Sequence, residues 1–228
     1  MLAEQIAAIT RQYIDEPTQN NVSNLTLSGW LDQAYREFRA IVTQRDQNYL
    51  SRTHTIVNPT IAQIQLKGIL LPPNPTQPQM QRLTRVMYNP PGQIYPVILQ
   101  PSGSLEGLKS QLFTTWAAAY FLDRGTGILW TTGNMAGNSI TIQYIPEPQI
   151  NWLTAIVPAS NVALDDGLDD WHELIALLAA RRYFIVDGVE NQQIEKLVKE
   201  NKATLMAYIG KSTSNSSNYV RHESSQPW

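Results

Sequence analysis

Histidines are the first residues of this chain whose type and spacing could support catalysis or metal binding. His172 and Glu173 begin the zinc-binding pattern His-Glu-x-x-His, but Ala176 stands where the second histidine ligand is needed. The other two histidines, His54 and His222, lie far away in the sequence. We therefore predict a structural role for His172 in the first turn of a helix, with no bound metal.

Four aspartates just before this histidine form a second candidate site: Asp165, Asp166, Asp169 and Asp170. An EF-hand calcium loop needs oxygen ligands at alternating positions, a glycine at the sixth and a glutamate at the twelfth. That spacing is absent here. Carboxylates also stabilise the N-terminus of a helix, and Asp170 with Glu173 has the spacing of a capping box. The acidic run therefore predicts the start of a helix.

The remaining short motifs do not predict an enzyme. Gly125 and Gly127 lie between two predicted strands, whereas a dinucleotide site needs a glycine-rich loop between a strand and a helix. The chain contains no cysteine, which excludes disulfides, thiolate catalysis and thiolate metal ligands. No nucleophile motif or pair of carboxylates stands out. We expect no catalytic activity and no cofactor.

The composition is that of a globular protein with a weakly charged surface. Of its 228 residues, 43% are hydrophobic and 16% are charged, with 17 basic residues against 19 acidic ones. No basic run predicts a nucleic-acid groove, and no apolar run reaches the roughly 20 residues of a membrane span. Glu4 and Arg11 interrupt the N-terminal region where a signal peptide would be apolar. We expect synthesis in a cytoplasm and no membrane contact.

Hydrophobic periodicity predicts helices towards both ends of the chain and strands between them. The predicted helices are 2–14, 28–45 with Ser28 as N-cap, 170–187 ending at Gly188, and 189–209 ending at Gly210. Their apolar stripes include Ile185 and Tyr208. The predicted strands are 51–58, 61–67, 82–88, 94–99, 119–122, 127–131 and 139–145, with a short helix at 104–112 and the last three strands forming a β-meander.

These elements predict an α+β fold in which the terminal helices pack as a helical bundle around a central inserted antiparallel β region. Residues 1–50 and 165–210 form the bundle in this prediction, and residues 51–164 form the inserted β-rich region. Residues 211–228 are rich in Ser and Asn and have little apolar content, so they are predicted to be a flexible, extended C-terminal arm.

Three long segments resemble the head-to-tail adaptor (connector, or neck) proteins of tailed bacteriophages. SGWLDQAYREFRAIV at 28–42 is similar to their capped N-terminal helix, and GILWTTGNMAGNSITIQYIPEP at 127–148 is similar to their β-hairpin. DDWHELIALLAARRYFIVDGVENQQIEKLVKENKATLMAYI at 169–209 resembles their closing pair of helices. The resemblance covers most of the chain and lies in the order of the elements.

The resemblance implies a structural protein of the virion, located in the neck at the head–tail interface. It implies a homo-oligomeric ring of about twelve copies that binds the portal protein on one side and a downstream neck or tail-terminator protein on the other. Viral DNA would pass through the lumen without sequence-specific contacts. The C-terminal segment would be the arm that docks on the portal, and the side chains able to do this are Tyr219, Val220, Arg221 and Trp228.

A second interpretation is a carbohydrate-binding or adhesin-like β-rich module. Exposed aromatic side chains and a β-meander would suit such a module, which predicts a monomer with a concave patch of aromatic side chains. The adaptor interpretation instead predicts a ring with aromatic residues at subunit contacts.

Overall fold

The chain divides into two compact units, one helical and one β-rich. The computed structural model describes residues 1–16, 21–57, 63–66, 79–90, 95–111, 118–132, 139–164 and 166–223, and only the backbone of residues 110–111 and 212–223. The helical unit comprises residues 1–50 and 149–228, and the β-rich unit comprises residues 51–148. The boundary between the β-rich unit and the second part of the helical unit therefore falls at 148/149. The boundary predicted from the sequence was 164/165.

The elements follow one another in an order that takes the chain from helices to strands and back to helices. They are α1 (Ala3–Tyr13), α2 (Asn24–Arg45), β1 (Arg52–Val57), β2 (Gln63–Gln65), β3 (Met80–Asn89), β4 (Val97–Pro101), α3 (Leu105–Gln111), β5 (Ala119–Asp123), β6 (Ile128–Thr131), β7 (Ser139–Pro146), α4 (Trp152–Ala155), a 3-10 turn (Asp169–Trp171), α5 (Glu173–Val186) and α6 (Gln192–Glu223). Among the described residues, no helix combines the length and the apolar character that a membrane crossing requires.

Helix α5 lies at the centre of the helical unit. Every residue from Leu174 to Ala180 is fully buried, as expected of a helix that is apolar on all sides. Helices α1, α2 and α6 each pack against α5. Three small side chains in the buried run, Ala176, Ala179 and Ala180, leave room for these neighbouring helices.

The β-rich unit contains a seven-stranded sheet in the order β1-β7-β3-β4-β5-β6-β2. Most neighbouring strands are antiparallel, but β4 and β5 pair in parallel through Gln100 with Ala119 and Pro101 with Tyr120. Strand β7 alternates as predicted: Ile140, Ile142 and Tyr144 are buried, and Thr141 and Gln143 are half-buried. One face of the sheet forms a hydrophobic core whose buried residues are Ile64, Leu66, Met80, Val86, Leu99, Leu129, Ile140, Ile142 and Tyr144.

The structure contradicts the predicted fold class. The β-rich region is a mixed sheet with its own strand-dominated core, and not an antiparallel insertion into a terminal helical bundle. The predicted meander is also wrong, because β7 pairs with β1 and β3 and not with β6. Over residues 211–223 the predicted extended arm is contradicted as well, since the backbone there continues α6; residues 224–228 lie outside the described residues. Apolar stripes predict which faces are buried, but they do not predict how a chain divides its core between helices and strands.

Two predicted helix boundaries are also wrong, for local reasons. Ser23 is the N-cap of α2, and its Oγ accepts a hydrogen bond from the Thr26 N–H at 3.1 Å, so Ser28 lies inside the helix. Gly210 does not end α6, which continues to Glu223. The Arg45 guanidinium lies against Gly210, within the space that a Cβ atom at residue 210 would take.

Candidate functional site

The four predicted docking residues lie at the end of the longest helix or beyond it. Tyr219, Val220 and Arg221 fall within α6, of which the structure describes only the backbone at these positions. Trp228 lies outside the described residues. The backbone therefore presents the first three residues along a helix, whereas the sequence analysis expected an extended arm.

Helices α5 and α6 form a hairpin whose turn has a capped, regular geometry. Gly188 adopts a positive φ of 70°, and the Val189 N–H donates a hydrogen bond to the Phe184 carbonyl at 2.9 Å, which closes a Schellman motif. Asn191 caps α6, because its Oδ1 accepts a hydrogen bond from the Ile194 N–H at 3.1 Å. The predicted end of this helix at Gly188 is confirmed.

Large apolar side chains are exposed at this turn. Ile185 is 67% exposed, Val186 is 73% exposed and Val189 is 51% exposed. Single exposed apolar residues are common on protein surfaces, but three within five residues of one turn, two of them lining the same pocket, are a concentration that favours an interaction site. We call residues 184–195 the hairpin tip. Ile185 was predicted to lie in an apolar stripe that is covered, and this prediction is wrong because its side chain is mostly exposed.

A pocket of about 230 Å³ opens at the hairpin tip. Phe184 and Ile185 line it from α5, Val189 from the turn and Ile194 from α6. Arg181 of α5 also lines it. The pocket is large enough for one or two apolar side chains and too small for most organic cofactors.

Carboxylates surround the apolar patch. Asp187, Glu190 and Glu195 are all exposed. Between Tyr183 and Glu195 the sequence contains no lysine and no arginine. The hairpin tip therefore combines an apolar centre with a rim of three exposed carboxylates, and the guanidinium of Arg181, which also lines the pocket, is paired with Glu37.

The base of the tip is held firmly on α2. Arg181 Nη2 donates a hydrogen bond to Glu37 Oε1 at 2.7 Å, and Arg182 Nη1 donates one to Gln33 Oε1 at 2.8 Å. The Trp30 and Tyr183 rings make an edge-to-face contact with their centroids 5.8 Å apart. In these contacts the residue numbers rise along α5 while they fall along α2, so the two helices are antiparallel. A partner that binds the tip would meet a preformed surface.

The opposite end of the hairpin carries the C-terminal part of α6. The Trp171 and Tyr208 rings are 5.6 Å apart, and Arg45, the last residue of α2, lies against Gly210. Beyond these contacts α6 continues to Glu223. We call residues 212–223 the distal segment. A helix of 32 residues is about 48 Å long, so the hairpin tip and the distal segment are far apart.

His172 is buried and serves the packing of the helical unit. Its Nε2 lies 2.7 Å from Asp166 Oδ1, and its ring contacts the Phe38 ring edge-to-face with 6.1 Å between centroids. The Leu168 N–H also donates to Asp166 Oδ1, at 3.0 Å, and the Tyr35 hydroxyl donates to Asp166 Oδ2 at 3.4 Å. Since the His172 and Asp166 side chains are fully inaccessible to solvent, neither can reach a substrate in this structure.

Burial changes the ionisation of Tyr35 in this cluster. Burial, followed by the charge of the Asp166 carboxylate, raises the pKa of Tyr35 to about 12. Arg39 acts in the opposite direction and lowers it. The phenol is therefore held in its neutral, hydrogen-bonding form.

The acidic run before α5 is spread over different environments. Asp166 is buried, Asp169 and Asp170 are exposed, and Asp165 lies outside the described residues. The Met1 ammonium, hydrogen-bonded to Asp169, lowers the pKa of that carboxyl. The predicted capping box is wrong, because Glu173 instead accepts a hydrogen bond from the Tyr13 hydroxyl. Across the described part of the chain, no three His, Cys, Asp or Glu side chains are arranged to hold a metal ion.

A wider groove of about 610 Å³ lies between α1, α2 and the segment after α4. Its polar lining includes Arg11, whose Nη2 donates to the Val22 carbonyl and to Asn24 Oδ1, each at 3.0 Å. These bonds tie together α1, the loop and the start of α2. Arg11 therefore has a structural role, and the groove is a weaker candidate than the hairpin tip.

No protein-family model matches the sequence, and a search of curated proteins finds no relative. The hairpin tip was missed by sequence reasoning, although one indication was present. Phe184, Ile185 and Val186 form an uninterrupted apolar run immediately before Asp187 and Gly188, where an amphipathic stripe would contain polar residues.

Proposed function

We propose that the protein is a structural adaptor that joins two partners, and specifically a head-to-tail adaptor in the neck of a tailed bacteriophage. The observation that carries the proposal is the α5–α6 hairpin, which offers two separate surfaces at its two ends. An adaptor needs two binding surfaces on a rigid connection. Helix α6 runs from the tip to the distal segment, and it packs on α5, whose run from Leu174 to Ala180 is fully buried.

The distal segment is proposed to dock on the portal protein. Tyr219 and Val220 supply apolar area, and Arg221 supplies a charge for an acidic partner group. Trp228 follows after the helix and is proposed as the terminal anchor. Aromatic and arginine side chains dominate the free energy of many interfaces, so these few residues are sufficient for the role.

The sheet is proposed to contribute to contacts between copies in a closed ring. β1 and β2 are the outer strands of the described sheet, and β1 pairs with β7 along its six residues, Arg52–Val57. Val57 on this edge is 68% exposed. Outer strands present unpaired backbone groups to a neighbouring chain, which favours strand pairing between subunits.

The charge of the chain is compatible with a DNA channel. A formal net charge of −2 provides no strong attraction for phosphates, so DNA passing through a ring of these subunits would not be held.

The carbohydrate-binding alternative has less support. Such a module needs several exposed aromatic rings on one surface. Among the described residues of the β-rich unit, only Tyr95 is a mostly exposed aromatic side chain, at 80%. Trp130 is half-buried, and the Lys109 ammonium lies 5.7 Å from the centre of its ring.

The test is the native mass of the purified chain alone, with the portal protein encoded in the same genome, and with portal plus the downstream neck protein. We expect a closed ring that joins both partners in one complex. A chain that stays monomeric and unbound in the presence of both partners would overturn the proposal.

A further inference from the structure

The hairpin tip has a surface chemistry that restricts what it can bind. Its exposed apolar centre, Ile185, Val186 and Val189, gains free energy when it is removed from water. Its rim of Asp187, Glu190 and Glu195 attracts cations and repels anions. A matching surface must therefore be apolar at its centre and basic at its margins.

We propose that the hairpin tip docks an amphipathic helix of a partner protein, one whose apolar stripe is flanked by lysine or arginine. An apolar side chain of that helix enters the pocket lined by Phe184, Ile185, Val189 and Ile194. The flanking cations pair with the rim carboxylates. Helix-in-groove binding of this kind uses apolar anchors at helical spacing, with charges that set specificity and the rate of association.

This inference deepens the proposed function. It rests on that function in one respect only, which is the identity of the partner protein that carries the helix. Because the distal segment is assigned to the portal, the hairpin tip is assigned to the downstream neck protein. An anionic lipid surface is disfavoured as an occupant, because the three carboxylates would repel it.

The test uses two synthetic helical peptides and the full-length chain. One peptide has leucine and lysine at amphipathic spacing, and the other has glutamate in place of every lysine. Binding is measured by calorimetry. We expect the leucine–lysine peptide to bind at least about tenfold more tightly, and its affinity to fall as salt rises from about 0.1 M to 1 M because screening weakens exposed charge pairs. Equal affinity for the two peptides would overturn the inference.

Two pairs of variants locate the binding. Ile185→Ser/Val186→Ser removes the apolar centre and should weaken binding of the leucine–lysine peptide at least about tenfold. Its matched control is Leu153→Ser/Val157→Ser, at side chains that are 43% and 48% exposed elsewhere in the helical unit, and binding should be unchanged. If both double variants bind equally well, the peptide does not occupy the tip and the inference fails.

The charge variant tests the rim in the same way. Glu190→Lys/Glu195→Lys should reverse the preference, so that the leucine–glutamate peptide binds more tightly. Glu106→Lys/Glu147→Lys makes the same change in net charge in the β-rich unit and should leave the preference as it was. If both charge variants reverse the preference between the two peptides, the preference depends on net charge alone and the proposed site is contradicted.

Vesicles of neutral and of anionic phospholipid form a separate arm of the experiment. We expect no binding to either, and tip-dependent binding to anionic vesicles would overturn the inference in favour of a lipid surface. Failure at the tip is distinguishable from failure of the proposed function, because portal binding through the distal segment does not involve residues 184–195.

Discussion

Asp166 is the centre of a buried polar network in the helical unit. Its carboxylate receives three partners: His172, Tyr35 and the backbone N–H of Leu168. A buried carboxylate is stable only when its oxygens are hydrogen-bonded. The histidine that begins an incomplete zinc motif is thus explained by packing, and the network gives two predictions at the residue scale.

His172→Ala should destabilise the helical unit. It removes the 2.7 Å contact with Asp166 and leaves a cavity beside Phe38, so we expect the free energy of unfolding to fall by at least about 2 kcal/mol. Urea denaturation measures this. The control is Asp169→Asn, since Asp169 is exposed and 3.7 Å from His172 Nδ1, and its effect should be much smaller. Equal losses of stability in the two variants would show that the buried His172–Asp166 pair contributes no more to stability than the exposed Asp169.

Tyr35 should make stability depend on alkaline pH. Its pKa is raised from 10.0 to about 12 in the folded chain, so its contribution is fully present below pH 10 and is lost as the pH rises towards 12. Tyr35→Phe should remove roughly 2–3 kcal/mol of the decline in the free energy of unfolding over that range. Tyr95→Phe, at a side chain that is 80% exposed, should leave the decline unchanged. Denaturation curves at several pH values between 9 and 12 give the comparison.

At the scale of the element, the turn at Gly188 determines the geometry of the α5–α6 hairpin. Gly188 takes a left-handed conformation that other L-residues adopt only with strain, and this conformation lets the Val189 N–H reach back to Phe184. The turn sets the direction in which α6 leaves α5. It also places Ile185 and Val189 on the lining of one pocket.

Replacing glycine by alanine at two positions should change the stability of the protein in opposite directions. Gly188→Ala places a side chain at φ 70° and should destabilise by about 1 kcal/mol, although no atom lies within 4 Å of the added Cβ. Gly29→Ala, in the interior of α2 with equally open space, should stabilise by about 0.5–1 kcal/mol because alanine loses less backbone entropy in a helix. Thermal unfolding of both variants provides the test. If the unfolding temperatures of both variants change in the same direction, backbone conformation is not the cause of the two stability changes.

At the scale of the whole molecule, the distal segment determines what the chain can join. Deleting residues 211–228 leaves in place the contact of Gly210 with Arg45 and all of α6 before it, so the rest of the helical unit should stay folded. Portal binding should be lost, since the proposed anchors Tyr219, Val220, Arg221 and Trp228 are all removed. Pull-down of portal by full-length and truncated chains at equal concentration is the measurement.

Trp228→Ala alone should cause part of that loss, because one aromatic anchor contributes a few kcal/mol to an interface at most. Circular dichroism of each variant checks that the fold is retained. Equal capture of portal by the truncated and full-length chains would leave the distal segment without its proposed role.

The sequence by itself determined the type of most described elements. Local periodicity identified the buried face of β7, where Ile140 and Ile142 alternate with half-buried residues, and the end of α5 at Gly188. These features depend on residues close together in the chain, so a pattern of a few residues is sufficient to predict them.

Tertiary structure alone decided how the elements share the core and which apolar residues remain exposed. The parallel pairing of β4 with β5, the burial of His172 against Asp166 and the close approach of Arg45 to Gly210 depend on chain packing that the local pattern does not specify. The exposure of Ile185 has the same origin, because its apolar character is local whereas its lack of a covering neighbour depends on where α2 and α6 lie. Burial depends on the whole chain, and for that reason the hairpin tip emerged only from the structure.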